Sequence, residues 1–259
     1  MSRTPSGSRH PQANVDLIEQ AVEHERRDES SRNEALVELQ VRGSREVLDA
    51  AMRLCRSEDS IRRFVGARIL GELGHERSFP KECCDTLVEL ARSESDLEVL
   101  RCTLFSLGHL GNLRCQPDLI RFADHLDPIV RYAVAFSFGE PQSEEAVQVL
   151  LRLMTDKEEV RARDWATRAV AQSVADGEVI RAALLTNAMD EDEMVRGEAL
   201  QGLARRRDRR GIALLVKELS GSNDRGGHFE DAAKIYLDLA GGQEFVPADL
   251  VALLQSASE

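Results

Sequence analysis

The most individual chemistry in this 259-residue chain is Asp164-Trp165, a carboxylate beside the only tryptophan. Trp165 has two readings. It is either a large side chain filling the groove between two helical repeats, or an exposed anchor of the kind that concentrates energy at protein interfaces. Arginines recur at Arg32, Arg63, Arg131, Arg163 and Arg196. A guanidinium presents a planar fork that matches a carboxylate, so the row is expected to form a structural ladder with the acidic turn of its own or the next repeat. Ligand binding is the other use of such a row. The run Arg205-Arg206-Arg207-Asp208-Arg209-Arg210 is the one basic cluster. At a helix C-terminus, where cations are favourable, it reads as a solvated cap, with an anion-binding patch as the alternative.

The remaining reactive residues assemble into nothing recognisable. Cys55, Cys83, Cys84, Cys102 and Cys115 include no C-x-x-C pair, and their odd number argues against a closed disulfide framework. Buried free thiols, acting as small apolar groups, are expected. Cys83 and Cys84 would point about 100° apart on a helix, a poor geometry for a shared metal. His10, His24, His75, His109, His125 and His228 make no H-E-x-x-H motif and no zinc-spaced pair with Cys. His109 falls at a helix end, where a turn role suffices. No phosphate-binding loop, dinucleotide fingerprint or nucleophile elbow occurs. No catalytic residue, metal or cofactor is therefore expected.

Composition narrows the class. Apolar residues make up 42 % and aromatics only 4 %, while the helix formers Ala, Leu, Arg and Glu dominate. The formal charge of −12 argues against general binding of nucleic acid, which needs clustered cations to displace counterions, and suits solubility or a cationic partner. No run approaches the ~18 apolar residues of a membrane span, and the N-terminus lacks the apolar core of a signal peptide. The cytoplasm is the expected compartment. Residues 1–13, rich in Ser, Pro, Gly and Arg, are expected to be a disordered lead, followed by one domain over 14–259.

The elements that must position these residues are set by an internal repeat. Six segments align, opening at Arg32, Arg63, Leu100, Arg131, Arg163 and Arg196. Three positions on stands a small or β-branched residue (Ala35, Gly66, Thr103, Val134, Ala166, Ala199), and seven positions on an apolar one. The intervals run from 31 to 37 residues, the length of one helix–turn–helix unit in a solenoid. Gly71, Gly108 and Gly139, with Gly74 and Gly111, are expected to close helices. Asp59, Asp96, Asp127, Asp156 and the run Asp190 to Glu193 are expected to cap the helices that follow. Between them lie first helices, such as Val47, Leu48, Ala51 and Leu54, with apolar residues at helical spacing. The ends depart from the rhythm. An opening helix covers Val15 to Arg26, a loop Gly221–Gly227 interrupts, and a last pair spans His228 to Ala240 and Pro247 to Gln255.

Segments such as Asp127-Pro128-Ile129-Val130-Arg131-Tyr132-Ala133-Val134-Ala135 and Gly71-Glu72-Leu73-Gly74 resemble the HEAT-like repeats first associated with phycobilin lyase subunits. The likeness covers most of the chain after about residue 30. It implies an all-α, right-handed solenoid of about six to seven helix pairs whose second helices line the concave side, and by itself no reaction. Bacterial HEAT-repeat proteins without an assigned activity are similar. The expected function is a non-enzymatic scaffold, adaptor or immunity-type inhibitor, holding another protein through Arg131, Tyr132, Trp165, Arg168, Glu198, Gln201 and Arg205, with a monomer favoured. The enzymatic alternatives are a phycobilin-lyase-like subunit, or a DNA alkyl-base glycosylase whose Trp, Asp and Arg site Trp165, Asp164 and Arg131 or Arg196 would mimic.

Overall fold

A computed structural model describes residues 13–74, 77–111, 113–221, 227–239 and 245–257. The expected disordered lead lies, apart from Ala13, outside the described residues, as do Ser222 to Gly226 of the interrupting loop. The described residues contain fifteen α-helices and no strand. None of these helices is long and apolar enough to cross a membrane.

The chain divides into two compact units, Met1–Cys115 and Gln116–Glu259. The first holds α1 (Asn14–Arg26), α2 (Glu34–Arg42), α3 (Arg45–Leu54), α4 (Ser60–Gly71), α5 (Pro80–Ser93) and α6 (Leu97–Leu110). Helices α2, α4 and α6 stack as one layer, and α3 and α5 pack beside them as the other. Each first helix buries an apolar stripe; Val47, Leu48, Ala51 and Leu54 of α3 are all in the core.

The second unit opens with a short α7 (Gln116–Leu119) and a 3-10 turn (Ile120–Phe122). It continues with α8 (Pro128–Phe138), α9 (Glu144–Leu153), α10 (Val160–Gln172), α11 (Glu178–Asn187), α12 (Glu193–Arg205), α13 (Ile212–Ser220), α14 (His228–Leu237) and α15 (Pro247–Ser256). Its second-helix layer is α8, α10, α12 and α14 in order. The sequence pairs the last two helices with each other. In the structure the two do pack on each other, while α14 also extends the second layer against α12 and α15 lies chiefly on α13. Gly197 permits this, because a Cβ there would stand 2.7 Å from the Cβ of His228.

Turn chemistry explains the helix boundaries. Asp59, Asp96, Asp127 and Asp192 each accept a hydrogen bond from a backbone N–H of the first turn that follows, satisfying donors the helix leaves orphaned. Asp156 was expected among them, but Glu159 caps α10 through the N–H of Arg161. Gly111 closes α6 at φ +64°. Gly71 is not a cap: it is the last residue of α4, and a Cβ there would meet the Ser106 side chain of α6 at 2.8 Å.

Four arginines tie successive repeats together. Arg63 places Nε and Nη2 on the two oxygens of Glu94 at 2.7 and 2.9 Å, while Nη1 donates to the carbonyls of Ser57 and Glu58 in its own turn. Arg131 repeats the arrangement with Asp156 and the carbonyls of His125 and Leu126. Arg163 does so with Asp190 and the carbonyl of Asp156, and Arg196 with Glu218 and the carbonyls of Asp190 and Glu191. Arg32 stands outside the row. It is exposed, with Glu34 of its own turn at 3.6 Å, because the first second-helix has no acidic turn set against it in this way. Leu100 takes the arginine's place in the third copy and is buried.

The cysteines depart from expectation. Cys84 and Cys115 form a disulfide that closes a 31-residue separation in the first unit. An odd count excludes a fully paired set but not one bridge, and α5 sets Cys84 facing the 3-10 turn that carries Cys115. Burial pushes the thiols of Cys55, Cys83 and Cys102 up to about 12, so they are poor nucleophiles at neutral pH.

Burial raises the pKa of Glu94 and Asp156, but the arginine and backbone hydrogen bonds outweigh it and leave both below their ordinary values of 4.5 and 3.8. Their contribution to stability is therefore complete above those values and is lost as pH falls through the lowered folded ones. Urea denaturation should show stability declining below about pH 4.5. At pH 7, Asp156→Asn and Arg163→Lys should each cost about 1–3 kcal/mol, and the Asp156→Asn deficit should shrink in acid.

Candidate functional site

The second-helix layer of the second unit carries the largest departure from repeat regularity. Two positions after the ladder arginine stand Ala133, Trp165 and Glu198 on α8, α10 and α12; one position after it stand Tyr132, Asp164 and Gly197. Alanine and glycine are what close helix stacking requires. A tryptophan and two carboxyl groups in that register are not needed for packing.

The aromatic rings form a continuous run. Tyr132 meets Phe136 edge-to-face at 6.5 Å, and Phe136 meets Trp165 edge-to-face at 4.8 Å. The guanidinium of Arg161 lies 4.5 Å from the Tyr132 ring centre, and that of Arg168 lies 5.3 Å from the Trp165 ring. The three rings are half-buried and the two arginines exposed. Beside them is a cavity of about 230 Å³, lined by Phe136, Gly139, Glu140, Trp165, Arg168 and Gln172. Its α8 wall is fixed by the buried Gln116, whose amide donates to the carbonyls of Phe138 and Glu140.

On the other side of Arg168 are the two acids. Glu198 is 4 % exposed, and its carboxylate has Arg168 Nη1 at 3.6 Å. Asp164 is half-buried, and its Oδ1 is enclosed with no hydrogen-bond partner. Burial pushes Asp164 up to about 6. Glu198 and Asp192 push the same way, against an opposing pull from Arg168 and His228. Burial also raises Glu198, against Arg168, His228 and Arg205.

The seven residues assigned to a binding face thus separate. Tyr132, Trp165 and Arg168 come together in one cluster, and Glu198 touches it from a buried position rather than an exposed one. Periodicity places Glu198 on the face, but the close approach of α12 to α10 and α14 covers it. Arg131 lies in the ladder, with its fork taken by Asp156. Gln201 is half-buried and Arg205 exposed on α12. Phe136, Arg161 and Asp164's partnerless oxygen were not singled out by the sequence. For Phe136 a signal existed, since it stands four residues after Tyr132 on one helical face.

The basic run is mostly structural. The side chain of Arg206 is 5 % exposed, and its guanidinium donates to the carbonyls of Val170, Ala171, Ser173, Ala175 and Gly202, closing the C-terminal end of α10. Arg210 pairs with Asp208 and Glu178. Among the described residues no three His, Cys, Asp or Glu side chains gather as a metal site.

Comparison with known proteins accords with the fold. Residues 84–171 match a family model described as HEAT repeats. Over that stretch the chain resembles HEAT repeats. Protein YibA of Escherichia coli strain K12 is 26 % identical over 191 residues, covering 70 % of this chain and 66 % of the relative, so the match spans just under two thirds of that protein. The X-ray structure of the E. coli protein superposes with a TM-score of 0.67 at 22 % identity, covering 96 % of this chain and 99 % of that one. An archaeal HEAT-like repeats protein from Thermococcus onnurineus NA1 does so at 0.58 and 14 %, covering 96 % and 100 %. These structural likenesses are likenesses of fold. A HEAT-like stack is a scaffold consistent with protein binding, because each repeat contacts only its neighbours and leaves long rows of positions to solvent.

A carboxyl group whose folded pKa is raised weakens the fold once it ionises. The penalty from Asp164 is absent below its ordinary 3.8 and complete above about 6. Asp164→Asn should therefore be more stable than wild type at pH 7.5 by about 1–2 kcal/mol after allowance for solvent screening. The two proteins should converge by pH 4. Paired denaturation curves at the two pH values measure this.

Proposed function

We propose that the chain is a protein-binding scaffold with no reaction of its own, and that it holds its partner on the second-helix layer around Trp165. The observation that carries this reading is the run Tyr132, Phe136 and Trp165, half-exposed across α8 and α10 and flanked by Arg161 and Arg168. Aromatic and arginine side chains in a semi-enclosed setting are the types that dominate interface energetics. The adjoining cavity supplies a concave feature for a partner side chain to enter. The glycosylase-like alternative is disfavoured by the fates of Arg131 and Arg196, whose forks are both occupied by ladder carboxylates.

The test is capture from lysate of the native host with the purified chain as bait, beside Trp165→Ala. One protein recovered near stoichiometry with wild type should be depleted at least tenfold with the variant, a loss of about 1.4 kcal/mol or more. Far-UV circular dichroism of the variant should match wild type. Equal recovery by both proteins would remove Trp165 from the interface, and recovery of nothing would remove the scaffold reading.

A further inference from the structure

Resting on the protein-binding reading, we propose that Asp164, Glu198 and Trp165 form a receptor for a cationic side chain, a lysine or arginine on a basic segment of the partner, and that Arg168 holds that place in the unbound protein. Three observations converge. The enclosed Oδ1 of Asp164 is an acceptor lacking a donor, a state with a desolvation cost that an incoming N–H relieves. The buried carboxylate of Glu198 has its nearest arginine nitrogen at 3.6 Å, beyond hydrogen-bond reach. The indole of Trp165 already has a guanidinium 5.3 Å from its ring centre, the position a cation takes over an aromatic face.

Arg168 differs from the ladder arginines in each respect that matters. Those are mostly buried and grip a carboxylate with both arms of the fork; Arg168 is exposed and makes one long contact with Glu198. It is a loosely held occupant, and it also lines the neighbouring cavity, where the aliphatic stem of a displacing side chain can lie. The groups facing the acids are Asp192 at the start of α12, His228 on α14, and Arg168 and Arg205. Two carboxyl groups, with Asp192 beside them, thus share Arg168 as their common arginine, while Arg205 acts on Glu198 alone. The chain's net charge of −12 adds long-range attraction for a basic partner.

Binding is read from the fluorescence of Trp165, which no other tryptophan obscures. The probe is a (Gly-Ser-Arg)4 peptide, and its control is the same peptide with citrulline for arginine. The arginine peptide should give a saturable change at pH 7.5 that weakens several-fold in 0.5 M salt and again at pH 5, where Asp164 takes up a proton. The citrulline peptide should give none. Asp164→Asn with Glu198→Gln should abolish the response, whereas Arg168→Ala should strengthen it several-fold by vacating the site. The proposal is overturned by an equal response to both peptides, by a response that survives loss of both carboxylates, or by weaker binding in Arg168→Ala. A saturable response to oligothymidylate that Arg168→Ala removes would also overturn it, by making the site anion-binding. A host protein whose capture needs Trp165 but ignores the two carboxylates would overturn the receptor and leave the scaffold reading intact.

Discussion

The bidentate grip of one arginine on a carboxylate of the next repeat is the interaction on which this fold depends. Helices in a stack meet through apolar side chains, which favour burial but do not fix register strongly. The ladder adds direction. In each rung one arm of the guanidinium closes the carbonyls of the turn that begins its own helix, while the fork takes a carboxylate of the next repeat. In three of the four rungs that carboxylate also accepts backbone N–H groups of its own turn, as Glu94 does from Ser95 and Asp96; the fourth carboxylate, Glu218, lies within α13. One side chain thus orders two turns, and lysine could not, lacking the planar fork. Surface ion pairs contribute little as a rule. These are partly enclosed and shared with backbone groups, which places them among the stronger charge-assisted contacts.

The ladder and the small residues three positions on recur along the stack, while other positions of the second helices change from copy to copy. One, two and five positions after the arginine, the copies read Phe64, Val65 and Arg68; Tyr132, Ala133 and Phe136; Asp164, Trp165 and Arg168; and Gly197, Glu198 and Gln201. The arginine position is constant across these four copies, and the other three positions differ in size and charge even where they are buried, as at Val65, Ala133 and Glu198. Function in a repeat protein is written where repeats disagree.

Much of this was legible beforehand because it is local or periodic. Helix existence, second-helix register, aspartate caps and the arginine row follow from patterns one turn or one repeat long. What escaped depends on side chains meeting across helices. Glu198 follows the same periodicity as exposed positions, and only the approach of α12 to its neighbours buries it. Arg206 sits in a run that reads as solvated, yet it reaches back 31 to 36 residues to the last carbonyls of α10 and its following turn. The disulfide joins residues 31 apart, one repeat length, which a parity argument about cysteines cannot detect. Asp156 stands in a run that looks like a cap and serves a rung instead, because Glu159 is nearer the helix start.

The carboxylates at Asp164 and Glu198 mark the limit of a purely structural account. Glu94, Asp156 and Asp208 are held down by donors, from Arg63, Arg131 and Arg210 in turn. Asp164 and Glu198 are pushed up instead, and a buried acid without a strong partner weakens the fold at neutral pH. Alanine fills the register of Glu198 one copy before Trp165 with full burial, as Ala133 shows, so packing does not demand an acid there. A stack that spends strength on its ladder has no structural reason to weaken itself at two adjacent helices beside its only tryptophan. On the receptor proposed above, the cost is one of binding, placed where a ligand's positive charge would remove it.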